Sequence, residues 1–248
     1  MARIRERGWV RSLTAVERPE LRVVCFPYSG GSATAFGGWS TALPPGVELV
    51  ALQYPGRGDR FGEDFMDDVA AMAAHATAEL LRLAPSPCVL FGHSLGALVA
   101  YETAQALRNA GAEPRQLCVS GSPAPALAVG GRIHLAPDDE FWTTLCGLGG
   151  IAPGIAESAE LREILLPMLR ADVRAHETYR PRPAAPPLSC PVRCYHGAGD
   201  PLVEEVRLGE WAQITSGDFT LRVRPGGHFH VATDTAGLVA DIVRQGGA

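Results

Sequence analysis

The chain has 248 residues, is 46% hydrophobic and carries a formal net charge of −5. That length and composition can bury one sizeable α/β core, and the mild acidic excess argues against nucleic acid as the main partner and gives no general attraction to anionic membranes. The basic start Met1-Ala-Arg-Ile-Arg-Glu-Arg lacks the apolar stretch of a secretory signal, and no apolar run approaches membrane-spanning length, so a cytoplasmic protein is expected.

Short apolar runs recur at 21–26, 47–52, 88–91, 117–119, 192–195 and 219–223, with helical patterns at 70–83, 95–110, 202–215 and 233–244. The alternation predicts a mostly parallel sheet with helices on both faces. Between 123 and 187 no strand pattern appears, only helical patterns at 138–148 and 158–179 with Gly- and Pro-rich joints. An insertion of that length, leaving the carboxyl end of a core strand, reads as a helical lid (123–187) on a core made of 1–122 and 188–248. The six cysteines are scattered, several of them in apolar runs. Cys190 and Cys194 have no second Cys/His pair at zinc-ligand spacing, so core filling is expected and a metal site is not.

Gly92-His93-Ser94-Leu95-Gly96 lies between the apolar run 88–91 and the helical pattern after it. In a strand–turn–helix context G-x-S-x-G forms a nucleophile elbow: the sharp turn lifts the serine above the sheet edge, and a side chain at either glycine would collide with a neighbouring element. A serine hydroxyl needs a base within hydrogen-bond reach and an acid behind that base. In α/β-hydrolases the order is serine, acid, histidine, each after a strand. Here Asp200 follows 192–195 in His196-Gly-Ala-Gly-Asp200, and His228 follows 219–223 in Arg224-Pro-Gly-Gly-His228. The loop after 117–119, another place for the acid, reads Ser120-Gly121-Ser122 and has no carboxylate. His230 is the competing base, but His228 directly follows the flexible Gly226-Gly227 pair. His93 is expected to pack under the elbow and His196 to support the acid loop; His75, His134 and His176 are expected to be ordinary helix or loop residues. The oxyanion donors are expected to be the backbone N–H of Leu95, at a helix start, and that of Tyr28 in Phe26-Pro-Tyr-Ser-Gly-Gly-Ser32, with Ser29 as the second choice. That loop lacks the lysine and spacing of a phosphate-binding turn.

These pieces, with Tyr54-Pro-Gly-Arg57-Gly58, Leu166-Pro-Met-Leu-Arg-Ala-Asp172 and Gly226-Gly-His228-Phe229, resemble the type II thioesterases that accompany modular polyketide and nonribosomal peptide synthases, over nearly the whole chain. Leu95 stands where that family usually has Met, and His230 where a second aromatic is usual. The resemblance implies an α/β-hydrolase fold and hydrolysis of acyl groups from the phosphopantetheine thiol of acyl or peptidyl carrier proteins, by a monomer needing no cofactor. Arg57 and Arg60, or the amino-terminal arginines, are candidate contacts to an acidic carrier surface, the alternative being a structural Arg–Asp pair or a solvated turn. An esterase, lipase or acyl-CoA thioesterase with the same triad is the second reading, and a noncatalytic synthase-binding partner the third.

Overall fold

In the computed structural model, which describes residues 8–128, 130–182 and 185–246, each of the six apolar runs is a strand. These are β2 (Leu21–Phe26), β3 (Val47–Leu52), β4 (Cys88–His93), β5 (Gln116–Ser120), β6 (Val192–Gly197) and β7 (Phe219–Arg224). All pair in parallel, in the order β3-β2-β4-β5-β6-β7. The first strand, β1 (Val10–Ser12), runs antiparallel along β3. Three residues of mixed character carry no legible period, so the sequence gives no sign of it. Strand order reverses between β2 and β4, and a ligand crevice in such a sheet opens at the carboxyl ends of the strands beside that reversal.

Strands buried on both faces read as unbroken apolar runs because successive side chains serve two cores. Val24 and Phe26 of β2, Leu90 of β4, and Leu117 and Val119 of β5 face the side covered by α1 (Val69–Leu80) and α2 (Leu95–Asn109). Val23, Cys25, Val89, Phe91 and Cys118 face the other side, with α6 (Thr235–Gly246). Burying a ring the size of Phe91, which is fully enclosed, contributes about 2–3 kcal/mol. All six cysteines are unbridged thiols, and Cys25, Cys118, Cys190 and Cys194 are buried.

Two segments differ from the sequence reading for one physical reason. Residues Glu205–Ile214, expected within an α-helix, and Ala33–Ala42, not expected to be regular, are 3-10 helices. Their inward residues recur every third position: Ala33, Phe36, Trp39 and Ala42 in one, and Leu208, Trp211 and Ile214 in the other. A helix with three residues per turn aligns i and i+3, so that spacing buries one clean stripe.

Between β5 and β6 the described chain is helical: α3 (Asp138–Gly147), the single turn α4 (Pro153–Ala156) and α5 (Ala159–Thr178). Phe141, Trp142, Met168, Leu169 and Val173 form a small apolar cluster of their own. Helix α5 starts on Ser158, whose hydroxyl accepts the Leu161 N–H at 3.3 Å, and contains Pro167, which has no N–H to give the preceding turn. Beyond Pro167 the helix is fixed to the main body. Ala175 and Tyr179 join the principal core, and the Tyr179 hydroxyl donates to Glu102 of α2 at 2.7 Å. Among the described residues, no helix is long and apolar enough to cross a membrane.

Candidate active site

Ser94 sits between β4 and α2 with φ 54° and ψ −120°, and among the described residues it alone combines a side chain with positive φ. The two glycines around it have no room for a methyl group. A Cβ on Gly92 would lie 2.1 Å from the Gly96 carbonyl oxygen, and one on Gly96 would lie 2.1 Å from that of Phe26. The Ser94 N–H donates to the Ser120 carbonyl at 2.8 Å, which ties the elbow to the end of β5. Strain of this kind costs about 1–3 kcal/mol and persists only where surrounding packing enforces it.

His228 Nδ1 lies 2.9 Å from Asp200 Oδ2, and both side chains are almost completely buried. Burial alone would raise the Asp200 carboxyl. The hydrogen bond and charge of His228, the Leu202 N–H and nearby His196 together outweigh it and hold the carboxyl below its ordinary value. The structure therefore brings His228 to Asp200, and it sends His230 elsewhere. His230 Nε2 is 2.9 Å from the Ser120 hydroxyl, whose other neighbour at 3.0 Å is His93 Nδ1. The His93 ring lies 4.9 Å from that of His228 and also packs against Tyr28 and Phe229. Burial foremost, then the neighbouring histidines His228 and His230, push the His93 pKa well down, leaving it neutral. Gly121, with φ +57°, makes space for both rings: a Cβ there would stand 2.6 Å from His93 Cε1 and 3.1 Å from His228 Cε1. His196 is buried near Asp200, His75 stacks on Trp9, and His134 Nδ1 lies 2.5 Å from Glu177 Oε2.

Leu95 follows Ser94 directly, and Tyr28 lines the same cavity as Ser94. Leu95 is the first residue of α2, whose opening N–H groups have no intrahelical acceptor. Tyr28 opens a turn closed by the Gly31 N–H on the Tyr28 carbonyl at 2.8 Å, and its ring packs against His93 and Phe229. Asp172 of α5 reaches this turn and accepts the Gly30 N–H at 2.7 Å. The same carboxylate takes both terminal nitrogens of Arg57, at 2.6 and 2.8 Å, and Arg57 also donates to the Gly31 carbonyl at 3.3 Å.

This arrangement corrects the expectation that Arg57 and Arg60 touch a carrier. Arg57 is 5% exposed and Arg60 7%, so neither guanidinium is offered to a docking protein. Arg60 is engaged by Glu63 and the Gln53 carbonyl and lies over the Trp9 ring. Of the amino-terminal arginines, Arg11 pairs with Asp59, and those at 3, 5 and 7 lie outside the described residues. Asp172 is what a reading of the sequence overlooks. It appears there only as the last letter of a motif, and nothing local signals a partner 115 positions away.

Ser94, His228, Tyr28 and Gly121 open into one cavity of about 540 Å³. Its roof and far wall are apolar, built from the insertion by Leu145, Leu148, Ile151, Ile155, Leu165 and Met168. His176, expected to be an ordinary helix residue, lines this cavity too, and burial lowers its pKa. Among the described residues no group of His, Cys, Asp or Glu is arranged to hold a metal ion.

A thioesterase-domain family model matches residues 21–245. The chain belongs to the thioesterase family. A probable cadicidin biosynthesis thioesterase of Streptomyces griseus is 40% identical to it over 224 residues, which are 89% of this chain and 61% of that protein, so the chain spans about three fifths of that relative. Thioesterase PikA5 of Streptomyces venezuelae is 40% identical over 230 residues, 90% of this chain and 80% of PikA5. Among solved structures, the type II thioesterase BorB from the borrelidin biosynthetic cluster superposes with a TM-score of 0.89 at 36% identity, covering 96% of this chain and 97% of BorB. The fold is thus that of the type II thioesterases, with an α/β-hydrolase sheet.

Proposed function

We propose that this thioesterase hydrolyses acyl groups held on the phosphopantetheine thiol of acyl or peptidyl carrier domains, clearing stalled or misprimed chains from a polyketide or nonribosomal peptide synthase. It would do so in the cytoplasm, as a monomer. One observation carries the reading: a serine on a strained elbow shares an apolar cavity with a histidine whose far nitrogen is held by a buried carboxylate. That the similar proteins include a probable cadicidin biosynthesis thioesterase and a type II thioesterase from the borrelidin biosynthetic cluster supports the choice of substrate.

Ser94 Oγ attacks the thioester carbonyl carbon as His228 Nε2 takes the hydroxyl proton, and Asp200 holds Nδ1–H and stabilises the imidazolium. The Leu95 and Tyr28 N–H groups receive the oxyanion. When the C–S bond breaks, His228 returns the proton to sulfur, freeing the pantetheine thiol and leaving acyl-Ser94. Water, deprotonated by His228, then attacks the ester, and the products are a free acid and the restored serine. A thiolate is a good leaving group, so the acid half of this cycle demands little.

Acyl-pantetheine thioesters, free and loaded on a carrier protein, offered to the wild type and to Ser94→Ala test the reading. Turnover that disappears in the variant and is faster on carrier-bound chains is expected. A wild type that is inert on thioesters but cleaves oxyesters would overturn the substrate assignment and make the protein an esterase.

A further inference from the structure

We propose that Asp172 and Arg57 are positioning residues for the reaction, so that the helix covering the cavity also sets the geometry of the oxyanion loop. The proposal rests on the reading of Ser94 as nucleophile and of the Tyr28 N–H as an oxyanion donor. The turn from Tyr28 to Gly31 is held at three backbone points. Its ends close on each other, the Gly30 N–H is fixed by Asp172 Oδ2 at 2.7 Å, and the Gly31 carbonyl is met by Arg57. Gly30 has φ +79°, and a Cβ there would lie 2.6 Å from Leu169 Cδ2 of the same helix, so α5 is pressed directly against the turn. Two of the three fixings therefore come from an ion pair whose carboxylate is wholly buried and whose guanidinium is almost so.

A buried ion pair is a poor device for stability, because desolvating two charges costs about as much as their attraction returns. What this pair supplies is direction. A bidentate Arg–carboxylate contact fixes the carboxylate in plane, and its Oδ2 then points one hydrogen bond at a backbone N–H two residues from the expected oxyanion donor. A misplacement of about 1 Å in such a site can cost about 10²-fold in rate. Loosening this clamp is therefore felt in the chemical step more than in substrate binding.

The test compares the wild type with Asp172→Asn, Arg57→Lys and the double variant Arg57→Met/Asp172→Leu, the last removing both charges so that neither is orphaned. Three quantities are measured: Tm, kcat and KM on an acyl-pantetheine thioester, and the rate at which a serine-directed fluorophosphonate labels Ser94. Each single variant is expected to lose roughly 10- to 100-fold in kcat with KM within about twofold, and to slow in labelling by a similar factor. The double variant is expected to recover the wild-type Tm while kcat stays low. A double variant with wild-type Tm and wild-type kcat would show the pair to be structural only and overturn the proposal. So would single variants whose losses lie entirely in KM. If the wild type turns over no thioester, labelling decides alone: slowed variants keep the positioning role while the substrate assignment falls, and unchanged rates remove the positioning role.

Discussion

His230→Gln is expected to take one proton out of the acid side of the stability curve. His230 is 1% exposed, its Nε2 faces the Ser120 hydroxyl, and its Nδ1 has no acceptor among the described residues. Burial foremost, then Arg224, His196 and His228, disfavour the cation, and Asp200 only partly opposes them, so its pKa falls to about 4. In the unfolded chain the same imidazole titrates near 6.5, its ordinary value. Between those pH values the unfolded chain holds a proton that the folded protein refuses. Stability is therefore full above about pH 6.5 and declines as the pH falls toward 4. The gap is worth about 3 kcal/mol in total, at a slope approaching about 1.4 kcal/mol per pH unit near pH 5. His93, on the other side of Ser120 and also kept neutral, contributes in the same direction, so a residual slope remains in the variant. Urea unfolding of both proteins at half-unit steps from pH 4.5 to 7.5, at fixed ionic strength, gives the two slopes. Any uniform cost of the Gln side chain shifts the curve without tilting it. Parallel curves for the two proteins would refute the argument, because they would mean that His230 takes up its proton in the folded state as readily as in the unfolded one.

Three further outcomes are expected. Ser94→Gly relieves a strained backbone, so it should raise stability by about 1 kcal/mol in thermal melts while abolishing thioester turnover; an unchanged or lower Tm would count against strain at the elbow. Asp200→Asn keeps the shape of the pair but not its charge, and kcat should fall about 10³- to 10⁴-fold with an unaltered far-UV spectrum. Activity near that of the wild type would remove Asp200 from the proposed triad. Gly121→Ala must occupy φ +57° and intrude on two imidazoles, at a cost of about 2 kcal/mol and most of the activity; wild-type values for both would show that the rings yield freely.

Much of the architecture was legible because burial on both faces of a parallel sheet writes inner strands such as β2 and β5 as near-continuous apolar words, whereas β7, at the sheet edge and only partly buried, alternates apolar with polar residues in Phe-Thr-Leu-Arg-Val-Arg. The candidate site was legible for a related reason: Ser94, Asp200 and His228 each follow a strand on a loop rich in small residues, so local context marks them without any knowledge of distance. Two kinds of feature stayed hidden. Segments with an inward residue every third position, such as Phe36 and Trp39 or Leu208 and Trp211, match neither the helical nor the strand period. Contacts between distant stretches leave no local trace. Arg57 and Asp172 lie in separate motifs, and Ser120 joins His93 to His230 only because β4, β5 and the loop after β7 converge.

The buried cysteines acquire a meaning from the chemistry proposed for the cavity. A thioester is open to capture by any thiolate, including one of the protein's own, and an acyl chain moved onto an internal cysteine would be trapped there. Desolvation first of all pushes the thiols of Cys118, Cys190 and Cys194 up to about 12 and that of Cys88 to about 11, and it raises Cys25 as well. At neutral pH a thiol of pKa 12 is ionised in only about one molecule in 10⁵. These side chains pack as small hydrophobes and none of them lines the cavity, so under the proposed chemistry the hydroxyl on the elbow meets no rivalry from them.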